Sequence, residues 1–196
     1  MVYIHLAEGF EEVEALTIVD ILRRAQIDAK TVSMTGEDIV SGCHGISVKA
    51  DILFEEANYA ECEMIVLPGG LPGATNLEAH QGLCRQIKAF ASEGATAGAG
   101  SGESAGGISG KKLAAICAAP LVFGTCGILE GVPATIYPGM EEHLKGGIPT
   151  GEHVTVSGNI ITGMGPALAM EFALTLVREL KGTECEKEIA SGLLFE

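Results

Sequence analysis

The stretch Leu113-Ala114-Ala115-Ile116-Cys117-Ala118-Ala119-Pro120 constrains this chain most, because an apolar run closes on one cysteine and turns at once into small residues and a proline. Leu113 to Ile116 supply the apolar side chains of a buried strand, and Ala118, Ala119 and Pro120 suit the first turn of a helix. Cys117 is therefore expected at a strand-to-helix corner, which is how a nucleophile elbow reads. At such a corner the unpaired amides and partial positive charge of the helix start favour thiolate over thiol. This stretch alone leaves open the alternative of a small buried cysteine packed like an alanine.

A buried strand needs neighbours, and the chain supplies them in alternation with helices. Strands are expected at Val2 to Leu6, Ala29 to Met34, Met64 to Leu67 and Leu113 to Ile116, with a hairpin of Val154 to Ser157 and Ile160 to Gly163 around Gly158-Asn159. Helices are expected over Glu11 to Ala25, about Asn76 to Ala91, Cys117 to about Cys126, and Ala167 to Leu180. This alternation predicts an α/β fold with a mostly parallel sheet covered by helices on both faces. Ligands then bind beyond the carboxyl ends of the strands, where Pro68-Gly69-Gly70 and Cys117 would both lie. The segment from Ala95 to Gly110 departs from the pattern. It is almost wholly Gly, Ser, Ala and Thr, and is expected to be an exposed, linker-like insert in a single domain spanning residues 1–196.

Twelve basic against 26 acidic residues leave a net charge of −14, which argues against nucleic acid and anionic membrane surfaces as partners. No apolar run approaches the roughly 20 residues of a membrane helix, and Met1 to Leu6 enters a strand without a basic signal region. A cytoplasmic protein is expected. Cys43, Cys62, Cys84, Cys117, Cys126 and Cys185 are scattered without Cys-x-x-Cys or zinc-like histidine spacing, so neither a disulfide framework, a metal site nor a cofactor is predicted.

Two further features bear on chemistry. Phe10, Val13, Thr17, Ile18, Ile21 and Ala25 form one helical stripe that includes Glu14, whereas Glu11 and Glu12 can point to solvent. An acid in apolar surroundings has its pKa raised, so Glu14 could stay protonated, donate a hydrogen bond to a thiolate, or exchange a proton with substrate. The alternative is an acid at the stripe edge paired with a basic side chain. The run Leu67-Pro68-Gly69-Gly70-Leu71-Pro72-Gly73-Ala74 lets backbone amides approach a ligand, as an oxyanion loop requires, although turn chemistry explains it equally well.

Together these segments resemble the DJ-1/ThiJ/PfpI family, nearest to its DJ-1 and bacterial ThiJ/YajL-like branch. The matching residues are Ala7 to Ala15 with Asp20 and Arg23 to Ala25, Leu67 to Gly70 with Gly73-Ala74 and Asn76-Leu77, Ala115 to Pro120, and Gly165 to Ala167 with Glu171 to Leu174. The resemblance implies a flavodoxin-like three-layer sandwich, usually a homodimer. It makes Cys117 the reactive elbow cysteine and Glu14 its protonated partner, with Gly69, Gly70 and the backbone at Ala118 as the anion pocket. The protease-like branch carries a histidine directly after the cysteine. Here that position is Ala118, which argues against peptidase activity. The DJ-1 branch often has a pocket histidine before a downstream proline, where this chain has Tyr137 before Pro138. His44 and Tyr137 are candidates for the pocket rim, while His80, His143 and His153 are expected to be solvated.

Two functional readings follow. In the first, Cys117 and Glu14 act on a small aldehyde or glycated substrate, that is, on reactive dicarbonyls or early glycation adducts in the manner of a glyoxalase III or deglycase. In the second, the chain is a redox sensor or chaperone-like stress protein whose Cys117 oxidises to sulfinate without turnover. A scaffold with an inert Cys117 would leave the acid on the apolar stripe unexplained.

Overall fold

The computed structural model describes residues 1–97 and 110–195. Its first half runs β1 (Val2–Leu6), α1 (Glu12–Arg24), β2 (Ala29–Ser33), β3 (Ile39–Ser41), β4 (Ser47–Lys49), β5 (Ile52–Leu53), β6 (Met64–Leu67), α2 (Gly73–Ala79) and α3 (Gln81–Ala97). The second half runs β7 (Lys112–Ile116), α4 (Pro120–Cys126), β8 (Pro133–Ala134), β9 (Ile148–Pro149), β10 (Val154–Ser157), β11 (Ile160–Gly163), α5 (Ala169–Lys181) and α6 (Thr183–Gly192).

Seven strands form one sheet in the order β10-β11-β7-β6-β1-β2-β5. Every pair is parallel except the β10–β11 hairpin at one edge. The central strands β1, β6 and β7 are buried along their whole length, as expected of a parallel sheet covered on both faces. Because β1, β6 and β7 are adjacent and co-directional, the loops leaving their carboxyl ends converge. Those loops carry Gly9 to Glu11, Pro68 to Gly70 and Cys117.

The expected α/β sandwich is therefore present, and the hairpin at Gly158-Asn159 keeps its expected bounds. Other elements differ for identifiable reasons. The single helix expected over Asn76 to Ala91 is two helices, broken at His80. That residue is extended, and its Nδ1 accepts the Leu83 amide at 3.0 Å, which caps the start of α3. His80 is consequently half-buried against Phe54, with ring centroids 4.5 Å apart, rather than solvated. The helix after Cys117 begins only at Pro120, and the one expected from Ala167 opens as a 3-10 turn over Pro166–Leu168 before α5. The short strands β3, β4, β5, β8 and β9 and helix α6 have no counterpart in the sequence expectations.

Helix α3 runs through Ala97, so the helical part of the chain reaches past Ala95; the rest of the expected insert, residues 98–109, lies outside the described residues. Asn159 joins the two sides of that segment. The Asn159 amide donates to the Phe90 carbonyl on α3 at 3.2 Å and to the Lys111 carbonyl just before β7 at 3.0 Å. Replacing Asn159 with Ala leaves two carbonyls without this donor and is expected to cost about 1–3 kcal/mol, read as a lower urea midpoint at unchanged m-value.

Candidate functional site

Cys117 has φ +61°, the left-handed region that non-glycine residues rarely occupy. Two backbone hydrogen bonds hold it there. Its amide donates to the Gly163 carbonyl and its carbonyl accepts the Tyr137 amide, both at 2.9 Å. With the backbone fixed on both sides by segments distant in sequence, the corner is over-determined, as strained functional residues generally are. The side chain is buried.

Gly69 is the meeting point of the site. A Cβ built on it would lie 2.7 Å from Cys117 Cβ, 2.8 Å from Glu14 Oε2 and 3.1 Å from the Ala118 amide nitrogen. A side chain there would force apart the cysteine and the acid. Glu14 itself is fully buried on α1. Its Oε2 accepts the Gly69 amide at 2.7 Å. Its Oε1 has no hydrogen-bond partner among the described residues, so a neutral Glu14 has an O–H to present to the adjacent Cys117 side chain.

Burial raises the Glu14 pKa from 4.5 to about 7, against the partial compensation of the Gly69 amide and of Cys117. Burial also pushes the Cys117 thiol up to about 12, reinforced by the neighbouring Glu14 charge, and the amides of Ala118 and Gly70 only partly offset this. The two groups thus resist carrying two negative charges. Below about 7 both groups hold their protons; from about 7 to about 12 the pair retains one, and that proton belongs to the pair rather than to either residue.

This corrects the expectation that a helix start lowers the cysteine pKa. Helix α4 opens at Pro120, three residues past the sulfur, so burial and Glu14 dominate. A second correction concerns the anion pocket. The Gly69 amide is committed to Glu14, leaving Gly70 and Ala118 as the amides that favour negative charge on sulfur. Gly70 has φ +89°, and a Cβ there would collide with the Glu11 amide nitrogen and the Gly9 carbonyl, so the loop needs glycine at this position.

The acids before Glu14 are also corrected. Glu11 and Glu12, expected in solvent, are 9% and 4% exposed, whereas Val13, expected on the inner stripe, is 54% exposed. The reason is tertiary: the β3–β4 turn folds over the start of α1. Glu12 Oε1 accepts the amides of His44 at 2.8 Å and Ile46 at 3.3 Å, and Oε2 pairs with His44 Nδ1 at 2.9 Å. Burial opposes ionisation of Glu12, but His44 and these amides outweigh it and hold the pKa down at about 2. Cys43 Sγ approaches Glu11 Oε2 at 3.2 Å. The donor atoms of Glu11, Glu12, Cys43 and His44 lie within 4.8 Å of one another, close enough to share a cation. Zinc-like spacing could not reveal this group, because its members come from two segments.

His44 is thus engaged with Glu12 rather than with Cys117, and its side chain is 68% exposed. Its Nδ1 also lies 3.7 Å from Glu11 Oε1, and the Glu11 amide donates to the Gly69 carbonyl at 2.9 Å while the Glu11 charge raises the Glu14 pKa. Tyr137 supports the elbow through its backbone, while its 47%-exposed ring stands beside Gly165. His153 is exposed and pairs with Glu171 at 3.1 Å. Among the described residues no helix is long and apolar enough to cross a membrane.

A mostly parallel sheet sandwiched by helices, with a left-handed cysteine corner at its carboxyl edge and a buried acid behind the sulfur, defines a flavodoxin-like α/β protein of the cysteine-elbow class. The DJ-1/PfpI family model matches residues 1–101 and 107–179, and the chain belongs to that family. It is 36% identical over 196 residues to Protein DJ-1 homolog B of Arabidopsis thaliana, covering 99% of this chain and 41% of that protein, so it spans less than half of that relative. The solved structure of oxidized Toxoplasma gondii DJ-1 superposes with TM-score 0.85 at 34% identity, covering 99% of this chain and 97% of the other. A Pyrococcus abyssi protein named a deglycase is 27% identical over 177 residues, covering 89% of this chain and 96% of that protein.

The sign of the pH dependence follows from Glu14. Its pKa is raised in the folded state, so the folded protein holds this proton more tightly. The resulting stability is complete below about 4.5 and is lost as pH rises through about 7. The full effect is about 3 kcal/mol. Urea unfolding from pH 5 to pH 8 is expected to show this decline in the parent protein and a much flatter profile in Glu14→Gln.

Proposed function

We propose that the protein is a cysteine-dependent catalyst that acts on reactive dicarbonyls or early glycation adducts, in the manner of a glyoxalase III or deglycase. The observation that carries this reading is the buried Glu14 carboxyl brought beside Cys117 at Gly69, with its pKa raised to about 7. A carboxyl group that titrates near neutrality is suited both to take a proton and to return it. The deglycase name of the Pyrococcus abyssi relative supports the same chemistry.

For a 2-oxoaldehyde the steps balance as follows. Cys117 gives its proton to Glu14, and the sulfur adds to the aldehyde carbon to form a hemithioacetal. The developing oxyanion faces the amides of Gly70 and Ala118 and takes the proton from Glu14, which returns to its carboxylate form. Glu14 moves a proton from the former aldehyde carbon to the neighbouring carbonyl carbon through an enediol, converting the hemithioacetal into a 2-hydroxy thioester. One water then hydrolyses the thioester, releasing a hydroxy acid such as lactate or glycolate and restoring the thiol. No cofactor is consumed.

Peptidase activity is not part of the proposal, since Ala118 follows the cysteine. We include in it a single domain over residues 1–196, a reducing, cytoplasmic setting in keeping with six free cysteines, and a homodimer. The homodimer is supported by exposed Val13 and Leu16 on α1 and exposed Ile39 and Ile46 on the β3–β4 hairpin, apolar residues on two elements joined through the Glu12 hydrogen bonds. Leu16→Glu combined with Ile46→Glu is expected to shift the mass measured by light scattering from dimer to monomer. An unchanged mass would remove this face as the interface.

The decisive assay follows methylglyoxal loss and hydroxy-acid formation. Cys117→Ala is expected to abolish turnover and Glu14→Gln to lower kcat by about 100-fold or more, with folding checked by circular dichroism. Equal rates in the parent protein and Cys117→Ala would sink the enzymatic reading. A protein without turnover whose Cys117 gains two oxygens under graded peroxide would instead be a redox sensor.

A further inference from the structure

We infer that Cys84 and Cys126 form a second, peroxide-oxidisable site that closes to a disulfide independently of Cys117. The two sulfurs lie 2.6 Å apart across the contact between α3 and α4, although 42 positions separate them in sequence. They are brought together by contacts that owe nothing to sulfur. Cys84 sits in the first turn of α3, whose amide donates to the His80 carbonyl at 3.1 Å, and His80 in turn caps that helix. Cys126 ends α4, where the preceding Thr125 hydroxyl donates to Glu78 on α2 at 2.6 Å. Gly127 then closes the helix in the left-handed conformation. The scaffold therefore holds both thiols in place before any bond forms.

Access and charge set the order of events. Cys84 is half-buried and can meet a small oxidant, whereas Cys126 is buried behind it. Burial and the adjacent Cys84 push the Cys126 thiol up to about 12, partly offset by Lys88, one helical turn beyond Cys84. Hydrogen peroxide attacked by the Cys84 sulfur gives a sulfenic acid and one water. The Cys126 sulfur then displaces the hydroxyl, which leaves with the thiol proton as a second water, and the S–S bond forms. The thiol pair loses two electrons and peroxide gains them. A dithiol reductant reverses the bond.

The segment enclosed by this bridge contains β7 and Cys117. Oxidation would thus fasten both flanks of the elbow at the moment when peroxide also threatens its cysteine, and would restrict the unfolded chain over a long loop.

The test uses the full chain and a Cys117→Ala variant, so that its outcome is separate from that of the catalytic proposal. Each protein is titrated with hydrogen peroxide, blocked with iodoacetamide under denaturing conditions, and digested without reductant. A Cys84–Cys126 linked peptide pair is expected in both proteins, absent in Cys84→Ser and in Cys126→Ser, and lost on treatment with dithiothreitol. In the Cys117→Ala background the oxidised form is expected to melt roughly 5 °C or more above the reduced form. Full alkylation of Cys84 and Cys126 at peroxide levels that oxidise Cys117 in the parent chain would overturn the inference. So would a linked pair that requires Cys117. A linked pair without any rise in melting temperature would overturn the claim that the helices already hold the thiols in bonding position.

Discussion

Everything at the functional edge of this protein depends on burying two acids, a thiol and a carboxyl, on either side of a residue that has no side chain. Gly69 lets Cys117 and Glu14 approach while its own amide satisfies one carboxylate oxygen. Removing both groups from water makes a second negative charge costly, and the pair retains a proton that each would surrender more readily in solvent. The same feature burdens the fold and is the one on which the proposed chemistry rests. Its stabilising counterpart is the buried sheet of β1, β6 and β7, whose carboxyl ends keep the three loops in register.

Two helix starts compete to set the electrostatics here, and their positions decide the result. Helix α4 opens beyond Cys117 and leaves the sulfur to burial. Helix α1 opens with Glu12 and Glu14 in its first turn, yet the two acids behave oppositely. A helix dipole is worth about 0.3–1 kcal/mol at such a position. That is small beside the burial of Glu14, whose raised pKa corresponds to about 3 kcal/mol. Glu12 stays ionised because the β3–β4 turn adds two backbone amides and the His44 ring. Two acids on one helix turn thus divide into a carboxyl that holds its proton up to about 7 and a fixed anion through what folds over each of them.

Elements whose side chains alternate between strongly apolar and turn-forming residues were legible in the sequence. Met64–Leu67 and the Val154–Gly163 hairpin keep their expected bounds, and Cys117 sits at the strand end where a small-residue run after Ile116 put it. Glu14 was legible because an acid among Ile18 and Ile21 breaks the pattern. The positions of Glu11, Glu12 and Val13 were not, because helical periodicity cannot register a β-turn that covers the start of a helix. The commitment of the Gly69 amide was hidden for a similar reason, since a Gly-Gly pair does not say which of its two amides faces a ligand and which is taken by an acid 55 positions away. The approach of Cys84 to Cys126 leaves no spacing signature at all.

The sequence by itself determined the layering, the strand that ends in Cys117, and the presence of a buried acid, because these follow from local periodicity and from residue sizes along the chain. Only the tertiary structure decided which proton the site retains, which amides remain for an anion, and which cysteines meet. Those outcomes depend on desolvation and on distances of a few ångströms between segments far apart in sequence, and neither is written in the order of residues along any one segment.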